Sequence, residues 1–371
     1  MTTVKSIINR IENFAPKHLA ESWDPIGLAF GSEEREVSRV LVALDLDANT
    51  LREAKEKNAD LIFTHHPSIF NSLKTLNEED ARRREYIELI RADIALYSAH
   101  TNIDAAENGM NDWLAEALNL NEIEVIETSH QNDLKLLVLY TPLDKAEEMR
   151  QALHAVGIGQ VGDYKDVSYT SLGTGHFTPE EEANPTIGKQ NQAENVEEER
   201  VEILFPSPML GKVIQAIYLN HPYEEPVYHI LDIGKKGKTY GIGRVGNLEE
   251  EQSFEEMIEK VKKVFNLKDV RYANMPLDKK IKKVAVLGGS GESYYKQALI
   301  KGADLYITGD ISYHGAQDMI REGLAFIDVG HFTENIFVEK MTSLLRSWNE
   351  EEEWKIDIIP AESQEDVFKF K

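Results

Sequence analysis

Imidazoles and carboxylates collect in this chain where short apolar runs end. His65 and His66 follow residues 61–64, His100 and Asp104 follow 94–97, Asp310 and His314 follow 305–308, and His331 and Glu334 follow 325–329. Each has an ordinary explanation by itself: a His pair after a strand closes a turn, and a carboxylate in the first turn of a helix, as in His331-x-x-Glu334, favours the helix dipole. Brought to one sheet edge, uncompensated imidazoles and acids are costly to bury unless paired or bound to metal. Three histidines and two carboxylates are too many for one catalytic ion that keeps an open position. They suit two ions sharing a bridging carboxylate and a water. The chain contains no cysteine, so every ligand is nitrogen or oxygen, compatible with Zn, Fe, Mn, Co or Ni. Two such ions lower the pKa of a water until it is a nucleophile near neutral pH, and hydrolysis is the natural use. His100, Asp310 and His314 would then be proton carriers or supports of the ligand loops.

The elements that must position these groups alternate. Strand-like runs at 40–44, 61–64, 94–97, 284–287, 305–308 and 325–329 are separated by helical patterns at 48–57, 78–91, 109–118, 294–301 and 333–348, the signature of parallel sheets flanked by helices. In such sheets ligands gather beyond the carboxyl ends of the strands. A displacement of 244 residues brings Val40, Val42, Ala54, Ala59, Asp60, Leu61 and Thr64 onto Val284, Val286, Ala298, Ala303, Asp304, Leu305 and Thr308. Two ordinary βαβ units converging on one pattern would give this, as would two related lobes. With a short gap the third strands end at Ala99-His100 and Gly330-His331. The expected fold is α/β: two related lobes with mainly parallel sheets forming one core over residues 1–125 and 240–371. Residues 126–239 form an insert. Its strands at 134–140, 169–172, 201–205 and 227–233, with helices at 145–156 and 209–220, fit a ferredoxin-like α+β domain. Within it the acidic stretch 180–199 lacks periodicity and reads as a mobile loop.

Charge and length exclude other functions. Sixty-five acidic residues against 41 basic ones leave a net charge of −24 over 371 residues, which disfavours nucleic acid as a partner. The absence of cysteine removes disulfides, thiolate metal sites and a cysteine nucleophile. No apolar run approaches the ~20 residues of a membrane helix, and Val4, Ile7, Ile8 and Ile11 read as an amphipathic helix, not a signal peptide. A cytoplasmic protein is expected.

Thr64-His65-His66-Pro67 with Phe70, His100-Thr101-Asn102-x-Asp104, Gly309-Asp310-x-x-Tyr313-His314 and Gly330-His331-x-x-Glu334 resemble the four motifs of the Ngg-interacting-factor-three-like proteins, also called GTP cyclohydrolase 1 type 2 homologues. Glu21-Ser22-Trp23-Asp24-x-x-Gly27-Leu28 and Tyr240-Gly241-x-Gly243-Arg244-x-Gly246 are similar to further blocks of that family, with Pro25 where many relatives carry Asn. The resemblance implies a dinuclear metal site on His65, His66, Asp104, His331 and Glu334, and a ring-shaped homohexamer. The insert, with the His221-Pro222-Tyr223-Glu224-Glu225-Pro226 turn, is similar to the CutA/PII-like domain of the longer bacterial members. His176, in Gly175-His176-Phe177, is read as surface or small-ligand-binding. Gly288-Gly289-Ser290-Gly291 could cradle a phosphate, although a tight turn required by the lobe explains it as well.

The leading functional reading is a metal-dependent hydrolase with two divalent ions, acting on a small, nucleotide-like substrate. The other is a metal-binding regulatory or chaperone protein without turnover, in which the insert senses a ligand or partner.

Overall fold

The computed structural model describes residues 1–369. They form a mixed α/β structure with two sheets, divided into two compact units: Met1–His130 with the chain from Tyr240 onward, and Gln131–Thr239.

The core unit begins with α1 (Val4–Phe14), started by a capping box between Thr3 and Ser6 and burying Val4, Ile7, Ile8 and Ile11 at helical spacing. There follow β1 (Gly27–Phe30), β2 (Arg39–Ala43), α2 (Ala48–Glu56), β3 (Leu61–Thr64), α3 (Ala81–Arg91), β4 (Ala95–Ser98), α4 (Thr101–Ala105) and α5 (Met110–Ala117). β2, β3 and β4 pair in parallel, and β1 lies antiparallel against β4. Every residue of β3 and β4 is buried, as in a sheet covered on both faces. Val40, Leu61, Phe63 and Tyr97 pack into the main core. Leu41, Ile62 and Leu96 turn to the opposite face, where Leu51 and Ala54 of α2 and Tyr86 and Leu89 of α3 cover them.

β5 (Asn121–Pro142) carries the chain into the insert, which continues through α6 (Ala146–Ala155), β6 (Tyr169–Phe177), β7 (Glu194–Pro206) and α7 (Leu210–Asn220) to β8 (Tyr228–Ser253). β7 lies antiparallel between β5 and β6. Leu137, Leu139, Val201, Ile203 and Phe205, alternating along their strands, close a separate small core with Met149, Leu153, Val213 and Ile217 of the helices. The stretch expected to be a loop through 199 is strand from Glu194 onward. Three consecutive glutamates hide the alternation there, yet Glu198 is buried and paired.

The chain returns to the core unit through β8 and α8 (Phe254–Val264), then β9 (Arg271–Tyr272), β10 (Lys280–Ser290), α9 (Tyr295–Ile300), β11 (Leu305–Gly309), α10 (Tyr313–Arg321), β12 (Ala325–Asp328), α11 (Ile336–Glu351) and β13 (Asp357–Pro360). β10, β11 and β12 are parallel, while β8 and β9 flank them antiparallel, so this sheet is parallel only over those three strands. β13 crosses to the first sheet and adds in parallel to β2. The glycines of the Tyr240-Gly241-x-Gly243-Arg244-x-Gly246 block serve close strand approach: a Cβ on Gly241 would stand 1.9 Å from the Glu127 carbonyl oxygen.

The 244-residue displacement holds for hydrogen bonds as well as residue types. The Asp60 carboxylate accepts from the amides of Ser38 and Arg39 at 2.7 and 3.0 Å, and Asp304 accepts from those of Lys282 and Lys283 at 2.9 Å each. Val40 is opposite Leu61, as Val284 is opposite Leu305. On the third strands the register sets Thr64 against Ser98 and Thr308 against Asp328, which equates His100 with Gly330 and not with His331.

Candidate metal centre

β3 runs directly into His65 and His66, whose amides bond back to the carbonyls of Ala43 and Leu44 and so extend the sheet by two residues. His100 lies two residues beyond β4 as the N-cap of α4, and Asp104 sits on α4. From the second sheet, the turn after β12 delivers His331 and Glu334. Glu334 stands at the centre. Its Oε2 lies 3.0 Å from His66 Nε2 and 3.1 Å from His331 Nε2, and its Oε1 lies 3.9 Å from His65 Nε2, which is 3.6 Å from Asp104 Oδ1. Two groups of donor atoms thus form, His66 with His331 and His65 with Asp104, each including Glu334. His100 joins His65 and His66 in a third.

Each of the three imidazoles is anchored through Nδ1. His65 donates to the Ala99 carbonyl at 3.1 Å, His66 to Asp45 at 2.8 Å and His331 to Asp310 at 2.7 Å. This leaves three Nε2 atoms facing one carboxylate, the arrangement that outer partners impose on metal-ligating histidines. The donor set fits a metal on a further observation: His65 Nε2 and Asp104 Oδ1 are buried and have no hydrogen-bond partner although they face each other. Without an ion the charges settle on protons. Burial opposes a charged His66, but Asp45 and Glu334 carry it up to about 10. Glu334 raises His331 to about 9 against burial, with Asp310 adding. Burial lifts Asp104 to about 7 and drives His65 well down. Glu334, whose ionisation burial opposes, is held low by His331 and His66.

Of the eight residues singled out in the sequence, seven meet here. His65, His66, Asp104, His331 and Glu334 supply the facing atoms, Asp310 supports His331, and His100 closes one side. His314 does not join them: it lies in the first turn of α10, exposed, with its ring against Tyr313. Sequence reasoning named Asp24 only within a family-like block, without a site role, and missed Asp45 and Asn111. The Asp24 side chain is fully buried, and its Oδ2 accepts from His100 Nδ1 at 3.1 Å, from the Thr101 amide at 2.9 Å and from the Thr101 hydroxyl. The Asn111 side chain donates to the Asp104 carbonyl and accepts from the Gly288 amide, tying the two halves together beneath the cluster. A Cβ on Gly288 or Gly289 would stand 2.9 or 2.7 Å from Glu334 Oε1, so the glycine turn leaves room for that carboxylate. Trp23 and Phe70, both exposed, set their rings edge-on to His100 at 6.1 Å each.

Carboxylates and imidazoles gathered this way can hold divalent ions, and the His100–Asp24 pair can hold a proton beside them. Among the described residues, no helix is long and apolar enough to cross a membrane. A family model described as Duf34/NIF3 (NGG1p interacting factor 3) matches residues 2–366. A Bacillus subtilis protein called GTP cyclohydrolase 1 type 2 homolog is 39% identical over 366 residues, covering 99% of this chain and 98% of the relative. Its Halalkalibacterium halodurans namesake is 37% identical with the same coverage. Among solved structures, a Bacillus cereus protein related to NIF3 superposes with a TM-score of 0.94 at 39% identity, covering 100% of this chain and 99% of that one. A Staphylococcus aureus protein does so with a TM-score of 0.76 at 30% identity and the same coverage.

Proposed function

Since the chain belongs to the DUF34/NIF3 family, we propose that it is a hydrolase that uses two divalent ions on a small, nucleotide-like substrate. The observation that carries this reading is the sharing of Glu334 between the two groups of donor atoms. His65 and Asp104 would hold one ion, His66 and His331 the other, with Glu334 bridging. Bound there, the ions would polarise a substrate oxygen and activate a water. The protein's own groups do the rest. Asp45, Asp310 and the Ala99 carbonyl fix the ligand rings. Asp24 holds His100 with its second nitrogen toward the cluster, where it can pass a proton, and Trp23 and Phe70 offer faces to a planar ring. The relatives' name suggests attack on a purine ring carbon of GTP.

The hydrogen bonds repeated at Asp60 and Asp304 support the reading of the core as two related lobes. A ferredoxin-like, CutA/PII-like insert is supported by its β-α-β, β-α-β order and by the sheet order β6-β7-β5-β8. A cytoplasmic homohexamer completes the proposal, checked by solution mass.

The decisive experiment measures the metal content of freshly purified protein, then screens nucleotides, phosphoesters and cyclic amides for turnover with each ion restored. About two ions per chain, with turnover abolished by His331→Ala, is the expected result. If His65→Ala and Glu334→Ala each kept both ions, the site assignment would be wrong. Two ions without turnover on any substrate would favour the regulatory reading.

A further inference from the structure

The insert contains a cavity of about 940 Å³ that the metal chemistry does not use. Its floor is Glu198 on β7, only 9% exposed, with Tyr223 donating to its Oε1 at 2.8 Å. Beside it on the paired strand β6 is Gly175, where a Cβ would stand 2.5 Å from the Glu198 carboxylate, so the buried acid depends on a missing side chain. The His221–Pro226 turn is locked in place. His221 donates through Nε2 to the Tyr140 carbonyl at 2.9 Å and accepts the Tyr223 amide on Nδ1 at 3.1 Å, fixing Tyr223 over the acid. Phe177 packs edge-on against Tyr223 at 5.7 Å, and Tyr140 against His229 at 5.9 Å. Residues 180–187 form the rim, held to the turn by the Asn184 amide, which donates to Glu224 at 3.0 Å.

The lining decides the ligand. Glu180, Glu182, Glu198, Glu224 and Glu225 all face the cavity, and no lysine or arginine does. A phosphate or nucleotide would meet five carboxylates, with His176 and His229 as the lining groups that could carry positive charge. A bare metal ion is equally unsuited, because among the described residues the groups of His and carboxylate atoms that converge closely all lie in the core unit. Aromatic faces beside a buried carboxylate are the recognition chemistry of organic cations: the carboxylate takes the N–H donors or the charge, and the rings take the remaining surface through cation–π attraction.

We infer that this cavity of the insert binds a small organic cation bearing an ammonium or guanidinium group, with Glu198 as the anchoring charge. The site is independent of the metal centre and of the hydrolase reading. The test is isothermal titration of the full-length protein with spermidine, methylguanidine and choline, against ATP, inorganic phosphate and Mg²⁺ as contrasts. One cation should bind with one-to-one stoichiometry, at least about tenfold more weakly to Glu198→Gln. Gly175→Ala, which keeps every charge but displaces the carboxylate, should weaken binding too. If Glu198→Gln failed to fold, as read by circular dichroism, the exposed double variant Glu224→Gln/Glu225→Gln carries the test, with several-fold weakening expected. The inference is overturned if no cation binds more tightly than about 1 mM. It is equally overturned if the folded variants bind as the parent does, or if ATP, phosphate or Mg²⁺ displaces the cation.

Discussion

Asp24 shows why a residue that a sequence block contains can still have an unreadable role. It sits in a Pro-Gly-bounded loop without periodicity, and its role exists only because that loop folds back onto the end of β4 and accepts three hydrogen bonds from His100 and Thr101. His65 and His66 were legible because a buried strand leads straight into them, and a strand end fixes direction. His314 was not, because a first-turn helix position does not say which way it faces. Against the cost of burial, Asp24 and Asp104 raise the pKa of His100. Asp24→Asn removes the nearer charge, so the His100 pKa should fall, read from its ring protons in an NMR titration, with a stability loss of about 2 kcal/mol for charged hydrogen bonds weakened. Gly289, at φ +60° with the Glu334 carboxylate 2.7 Å from its absent Cβ, gives a second expectation. Gly289→Ala should displace Glu334 and lower the content of both ions, whereas His331→Ala should lower only one; elemental analysis separates the two outcomes.

At the level of elements, the parallel strands were readable because four consecutive buried apolar residues are unusual outside a covered sheet. β1 and β13 were not, being short edge strands whose partners lie far along the chain. α8 had a signal that went unread: Ser253 and Glu256 form a capping box ahead of Phe254, Met257, Ile258 and Val261. The segment after β13 does more than complete a sheet. Glu53 of α2 accepts the amides of Glu362 and Ser363 and an ammonium proton of Lys57, and Gln364 accepts from Leu44 and donates to the Asp45 carbonyl, beside the carboxylate that holds His66. Burial opposes the Glu53 charge, yet Lys57 and these amides pull its pKa down to about 2 from 4.5. A depressed native pKa stabilises fully above the unfolded value, and the effect fades as pH falls from there through about 2. Glu53→Gln should cost about 2 kcal/mol in urea denaturation near neutral pH, and the gap from the parent should narrow at about pH 3. A constant gap would show that the Glu53 charge is not what holds the segment after β13.

For the whole molecule, the insert enters and leaves through β5 and β8, neighbours in one sheet. All the residues of the candidate metal centre lie in the core unit. Replacing residues 131–239 by an Asn-Gly turn should therefore give a folded core that keeps its ions, checked by thermal melting and elemental analysis; a core that loses them would show that the insert is needed to build the centre. The placement of β13 bears on how the protein is made. On the ribosome, β2 emerges early and stands as an open sheet edge until residues 357–360 have been translated, and Gln364 secures the Asp45 loop later still. Glu334, too, arrives long after His65, His66 and Asp104. The nascent chain therefore carries three of the five candidate donors and an unpaired strand until Glu334 and β13 have been translated, so the two halves of the candidate site meet only after nearly all of the described chain has been made.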